Sequence, residues 1–134
     1  MKTNNLIVDS FDKLPSPSYV CEEKLLEKNL ILLKRIQDEA DVNILLALKG
    51  FAMWSTFDLC KKYLKGCCAS GLHEAILAKE EFEGEVHTYS AAFKDDEIDE
   101  IISISNHVVF NSFNQLKRYK EKAYGKTSLG IRLN

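Results

Sequence analysis

The chain has 134 residues, 46% hydrophobic and 28% charged, an ordinary composition for one soluble globular unit with a sizeable core rather than a disordered segment. Its 18 basic and 20 acidic residues give a net charge of −2, so nothing in the balance suggests a polyanion-binding surface, and nucleic acid is not an expected partner. The apolar run near the start, Leu6-Ile7-Val8, is too short for a signal-peptide core, and no stretch reaches membrane-spanning length, so a cytoplasmic setting without a membrane partner is expected.

In chain order, Pro15 and Pro17 precede a short extended piece, Tyr19-Val20-Cys21, and a helix is predicted from about Glu22 to Ala40. Leu25, Leu26, Leu30, Leu33 and Ile36 recur on it at helical spacing. Ile44-Leu45-Leu46-Ala47-Leu48 is a continuous apolar run of the kind found in strands covered on both faces, and it stops at Lys49-Gly50. The next helix is expected near Ser55, where Ser55 and Asp58 have capping-box-like spacing, with Phe57, Leu59, Cys60, Tyr63 and Leu64 on its buried side.

Cys67-Cys68-Ala69 reads as a short strand, followed by a helix from about Gly71 to Phe82 with Ser70 as its cap. Val86 to Tyr89 is a further strand, Asp95 to Ser105 an acidic-headed helix, and His107 to Phe110 another strand. Ser112 and Gln115 have true capping-box spacing and open a helix to about Ala123; the last strand runs from Ser128 to Leu133. The class is therefore α/β, with connections short enough for parallel β-α-β units.

A complete eight-unit barrel takes about 250 residues, so the expectation is an incomplete barrel of about five parallel strands, its exposed edges leaving the chain dependent on further residues for stability. No strand-to-helix turn carries a glycine-rich phosphate loop. The four cysteines, Cys21, Cys60, Cys67 and Cys68, have no CxxC spacing, which argues against a disulfide framework or zinc site, and no metal ligand set is expected. On a strand, Cys67 and Cys68 point to opposite faces.

Functional groups of a parallel barrel gather at the carboxyl ends of its strands. Lys49 stands at such an end, where regular alternation aligns it with Leu45 and Ala47 and an apolar interior favours the neutral amine that attacks aldehydes. The plain alternative is a lysine that snorkels to solvent. Arg132 is a second mouth candidate or a surface ion pair, and Asn134 is a third. Ser70, Asn111 and Ser112 read more simply as caps than as cofactor contacts. His87 shares a face with Tyr89, and either side chain could line the interior.

The segment LLALKGFAMWSTFDLCKKYL, from Leu45 to Leu64, resembles the pyridoxal-lysine segment of carboxynorspermidine decarboxylases, whose usual wording is close to LLALK-x-F-x-x-W-S-x-F-D. The similarity continues in order through CCASGLHEAILAKEEF, HTYSAAFKDDEIDEII, VVFNSFNQLKRY and GIRLN, and spans nearly everything from Pro15 onward. It departs from the common wording at Gly50, where a cysteine is usual. The resemblance implies a fold-type III enzyme related to alanine racemase and to ornithine and diaminopimelate decarboxylases. It places residues 22–134 in the N-terminal portion of an alanine-racemase-like TIM-type barrel after a lead-in of residues 1–21. The remaining barrel and a C-terminal β domain would lie outside the chain.

By the same resemblance, pyridoxal 5'-phosphate is the cofactor, Lys49 is the catalytic lysine that carries it, and Arg132 binds near it. The substrate is carboxynorspermidine or carboxyspermidine, giving norspermidine or spermidine in polyamine biosynthesis, and the full-length enzyme is a homodimer. None of His73, His87 and His107 is assigned the cofactor-stacking role of the relatives. Two other readings stand beside this one: a different enzyme of the fold, such as a diaminopimelate decarboxylase or racemase, or an inactive piece that needs a complementary segment. The 134-residue chain alone is expected to be inactive.

Overall fold

The computed structural model describes residues 13–133; Leu6-Ile7-Val8, most of the lead-in and Asn134 lie outside the described residues. Five parallel strands form one sheet in the order β1-β2-β3-β4-β5: β1 (Leu45–Ala47), β2 (Gly66–Ala69), β3 (Glu85–Ser90), β4 (His107–Phe110) and β5 (Ser128–Ile131). Each strand is followed in space by the next in sequence. A doubly wound sheet reverses that order at a switch point, whereas a barrel wall does not. The wall is not closed: β1 and β5 each pair on one side.

Helix α1 (Glu23–Ala40) precedes the sheet; α2 (Phe57–Cys60), α3 (Leu72–Leu77), α4 (Ile98–Ile104) and α5 (Phe113–Ala123) connect its strands. Two of the expected helices are shorter or less regular. The segment expected to start at Ser55 is a 3₁₀ turn, Trp54–Thr56, leading into the single turn of α2. Thr56 donates its hydroxyl to the Met53 carbonyl at 2.8 Å, while Asp58 pairs with Lys61 instead of capping the helix. The helix α3 widens into a π turn over Ala78–Phe82 and ends where Glu83 adopts φ 61°. Before α4, residues 95–97 are a turn; β5 ends at Ile131, short of the expected Leu133.

On α1 the buried stripe is Leu26, Leu30, Leu33 and Gln37, offset from the expected apolar set, so Leu25 and Ile36 are exposed. Alternation along the strands divides the sheet. One face carries Leu46, Cys67, Ala69, Val86, Thr88, Val108, Phe110 and Leu129 against the helices. Phe57 and Phe82 meet edge to face at 5.5 Å in the first half of this core, and Phe93 and Phe110 do the same at 5.5 Å in the second. Thr88 and Ser105, both buried there, satisfy each other at 2.8 Å.

The other face is open. It presents Ala47, Cys68, His87, His107 and Ser128 in one row, because these residues are register partners from strand to strand. Cys67 and Cys68 therefore do point to opposite faces, the first fully buried and the second exposed. The expectation that the run 44–48 is covered on both faces is corrected: Leu48 is buried and Leu46 packs on the core, but Ala47 is exposed. Among the described residues, helices cover one face of the five strands and no opposite wall covers the other.

Candidate active site

At the carboxyl end of β1 the chain turns at once. The amides of Gly50 and Phe51 both donate to the Ala47 carbonyl, at 2.9 and 3.0 Å, and the Leu48 amide donates to Cys68 across the sheet at 3.1 Å. Leu48 thus closes the core while Lys49, next to it, is exposed on the turn. The apolar enclosure expected around Lys49 is absent among the described residues, for the reason that leaves Ala47 exposed. A β-carbon added at Gly50 meets only the Ala47 carbonyl oxygen, at 3.5 Å, an ordinary contact. The cysteine usual at that position would fit, and glycine there is not a steric requirement.

Upstream of this turn, Gln37 fixes the strand entry. Buried under α1, it accepts from the Ile44 amide at 2.6 Å and donates Nε2 to the Tyr63 carbonyl at 2.8 Å. One side chain therefore ties α1 to both ends of the β1–α2 unit that presents Lys49. The Tyr63 hydroxyl adds a bond to Glu27 at 2.8 Å, and that bond, followed by burial, holds the phenol above its ordinary pKa.

A second group of mouth residues gathers at β3, β4 and β5. The Tyr89 hydroxyl donates to Asn111 Oδ1 at 2.8 Å, and the Arg132 guanidinium lies over the Tyr89 ring, 4.9 Å from its centroid. The Arg132 amide donates to the Phe110 carbonyl at 2.9 Å, which extends the parallel ladder by one bond and fixes where its side chain departs. Arg132 therefore belongs to a structured mouth group. Lys49 lies on the far side of β2, and the sheet does not bring the two together directly.

Ser70, expected as a cap, is not one through its hydroxyl. Gly71 is the cap residue of α3, and the Glu74 carboxylate reaches back to accept from the Ser70 amide at 2.7 Å. Ser112 does cap α5, accepting from the Gln115 amide at 3.3 Å. The expected return half of that box is replaced: the Gln115 side chain donates to Ala91 at 2.9 Å and accepts from Phe93 at 3.4 Å, stapling the β3–α4 loop.

A separate groove of 820 Å³ lies between residues 19–22, α1 and the loop that follows Lys49, with Leu25, Leu26, Phe51 and Met53 in its wall. Lys49 and Arg132 do not line it. Among the described residues no helix is long and apolar enough to cross a membrane.

No family model matches the chain. It is 48% identical over 124 residues to carboxynorspermidine/carboxyspermidine decarboxylase of Campylobacter jejuni, an alignment covering 92% of this chain and 32% of the relative. It is 43% identical over 122 residues to carboxyaminopropylagmatine decarboxylase of a Synechocystis strain, covering 90% of this chain and 32% of that one. A decarboxylase of the first kind from Herminiimonas arsenicoxydans is 39% identical, again over 90% of this chain and 33% of its own length. The crystal structure of the Campylobacter jejuni carboxynorspermidine decarboxylase in complex with norspermidine superimposes with a TM-score of 0.84 at 47% identity, covering 87% of this chain and 31% of that one. In sequence and in fold, then, this chain is similar over about nine-tenths of its length to carboxynorspermidine/carboxyspermidine decarboxylases and spans about a third of theirs.

Proposed function

We propose that the chain forms part of a pyridoxal-phosphate-dependent decarboxylase that removes the α-carboxylate of a carboxylated polyamine, with Lys49 as the amine that holds the cofactor. The observation that carries this reading is the 39–48% identity of nine-tenths of the chain to enzymes named for that reaction. Lys49 is an exposed amine at the carboxyl end of β1, where a barrel enzyme collects its reactive groups. Arg132, at the carboxyl end of β5, places a positive charge beside Tyr89, of the sign that an anionic group of the cofactor pairs with. These two groups fit pyridoxal 5'-phosphate in chemistry: one attaches it and the other orients it.

When bound, the cofactor supplies an electron sink for the pair left at the α-carbon as carbon dioxide departs. A proton then replaces the carboxylate. Lys49 would hold the cofactor through its side-chain amine. In this reading residues 22–134 are barrel wall after a lead-in of residues 1–21, and the whole enzyme is a cytoplasmic homodimer in polyamine biosynthesis.

Carboxynorspermidine and carboxyspermidine are the expected substrates. The Synechocystis relative supports a second one of the same class, carboxyaminopropylagmatine, which replaces a terminal amine by a guanidine. Borohydride reduction of the protein with pyridoxal phosphate, followed by peptide mapping, should place the label on Lys49. Labelling spread evenly over the lysines, or unchanged in Lys49→Ala, overturns the assignment. Product analysis with the three carboxylated polyamines and diaminopimelate separates the substrate readings, and turnover of diaminopimelate alone would replace the polyamine reading. The 134-residue chain by itself should show no turnover.

A further inference from the structure

One layer deeper in the open sheet face than the Tyr89 hydroxyl, parallel pairing assembles a set of donors that the decarboxylase reading does not use. Glu85 and His87 are two residues apart on β3 and so share a face, and His107 on β4 is the register partner of His87. The His87 Nε2 lies 3.1 Å from Glu85 Oε2, and the two imidazole rings are 4.1 Å apart at their centroids with a tilt of 47°. One donor atom from each of the three residues lies within 4.8 Å of the other two. All three residues are half-buried, so their side chains are restrained by neighbours without being enclosed by them.

We propose that Glu85, His87 and His107 bind a first-row divalent transition ion of the Zn²⁺ or Ni²⁺ kind through two imidazole nitrogens and one carboxylate oxygen. Metal–ligand bonds of about 2.0–2.1 Å in a tetrahedral shell put donor atoms about 3.4 Å apart. The Glu85–His87 pair already meets that spacing, and the widest gap closes by a movement of at most about 1.4 Å, within the reach of side-chain torsions. Water would supply the fourth ligand of a tetrahedral shell. Two imidazoles with a carboxylate suit Zn²⁺ and Ni²⁺, whereas Mg²⁺ and Ca²⁺ demand more oxygen donors than this set provides.

Cysteine spacing underlies the sequence expectation of no metal, but this ligand set contains none. Cys68 is the nearest thiol in the same row, as the register partner of His87. Its sulfur is not one of the donor atoms that converge, which are those of Glu85, His87 and His107.

The test is a titration of the folded 134-residue chain with Zn²⁺, read by competition with a chromophoric chelator, and with Co²⁺, read by its visible ligand-field bands. One ion per chain is expected, with affinity at least tenfold weaker in His87→Gln and in His107→Gln at unchanged far-UV circular dichroism, and unaltered in Cys68→Ser. In the unmutated chain, Zn²⁺ should shift the ring-proton resonances of His87 and His107 and leave those of exposed His73 in place. No binding, binding by both histidine variants as tight as by the unmutated chain, loss of binding in Cys68→Ser, or a shift confined to His73 would each overturn the site. The decarboxylase reading is untouched by any of these outcomes.

Discussion

Gln37 offers the sharpest test of how the β1 unit is held. It is 3% exposed and bridges the Ile44 amide and the Tyr63 carbonyl at 2.6 and 2.8 Å. In Gln37→Leu the volume is nearly kept, but a buried donor and a buried acceptor lose their partners, at about 2 kcal/mol each. Burying the leucine returns about 2 kcal/mol, so the net loss should be about 2 kcal/mol. Gln37→Glu separates the two bonds. Its carboxylate still accepts from Ile44 but faces the Tyr63 carbonyl with no proton to give, so the folded state should raise the introduced carboxyl's pKa above the unfolded value of about 4.3. A raised folded pKa means the stabilisation is fully present below the unfolded pKa and is lost as pH rises through the folded one. Gln37→Glu should therefore approach the unsubstituted chain in acid and fall behind it towards neutrality. Urea titrations followed by far-UV circular dichroism at both pH values measure this. A loss below about 0.5 kcal/mol in Gln37→Leu, well under the cost of an unpaired buried group, would refute the bridging role, as would a pH-independent deficit in Gln37→Glu.

Gly66→Ala should destabilise the fold by about 3 kcal/mol or more: a β-carbon there lands on the Glu85 carbonyl and comes within 2.6 Å of its backbone nitrogen, so the β2–β3 pair has to separate. Chemical denaturation reads the loss, and an unchanged midpoint contradicts this packing. Burial pushes the fully buried Cys67 thiol up to about 12, so iodoacetamide at mildly alkaline pH should alkylate exposed Cys68 well before Cys67, as followed by peptide mass spectrometry; the reverse order would place the wrong cysteine on the open face. Burial, then the bond to Asp95 at 2.8 Å, raises the Tyr119 phenol. Its stabilising contribution should be intact below the ordinary tyrosine pKa of about 10 and disappear as pH rises through the folded value. Tyr119→Phe should accordingly remove a late step from the alkaline absorbance titration, and an identical curve would argue against the assignment.

Much of this architecture is visible in the linear sequence because its signals are local. His107 to Phe110 reads as a strand and is one with those limits; Ser112 caps α5 as its spacing to Gln115 predicts. The alternation of short strands and helices gives parallel units directly. What local pattern misreads is whatever depends on a third element. Leu25 and Ile36 fit a helical stripe, but the stripe facing the sheet is set by Gln37, whose polarity hides it from an apolar count. The run 44–48 has the composition of a doubly covered strand and only one cover here.

The same distinction explains the candidate site. Lys49 and Arg132 are recognisable because each sits in a motif, whereas the groupings Tyr89–Asn111–Arg132 and Glu85–His87–His107 arise from register across strands about twenty residues apart in sequence. Period-two counting along β3 and β4 supplies the signal that could have found both, since it puts Glu85, His87 and Tyr89 on one face and aligns His107 with His87. Register also limits what five strands accomplish. Strands spaced about 4.8 Å apart put β1 and β5 about 19 Å from each other along the sheet. The two ends of the wall carry the proposed attaching lysine and orienting arginine, so their separation changes more with sheet curvature than that of any neighbouring pair. Curling into a barrel brings them around a common mouth without altering the local bonds that hold either one. The turn at Ala47 and the Arg132–Phe110 ladder bond fix each group on its own strand, while curvature governs whether both serve one ligand.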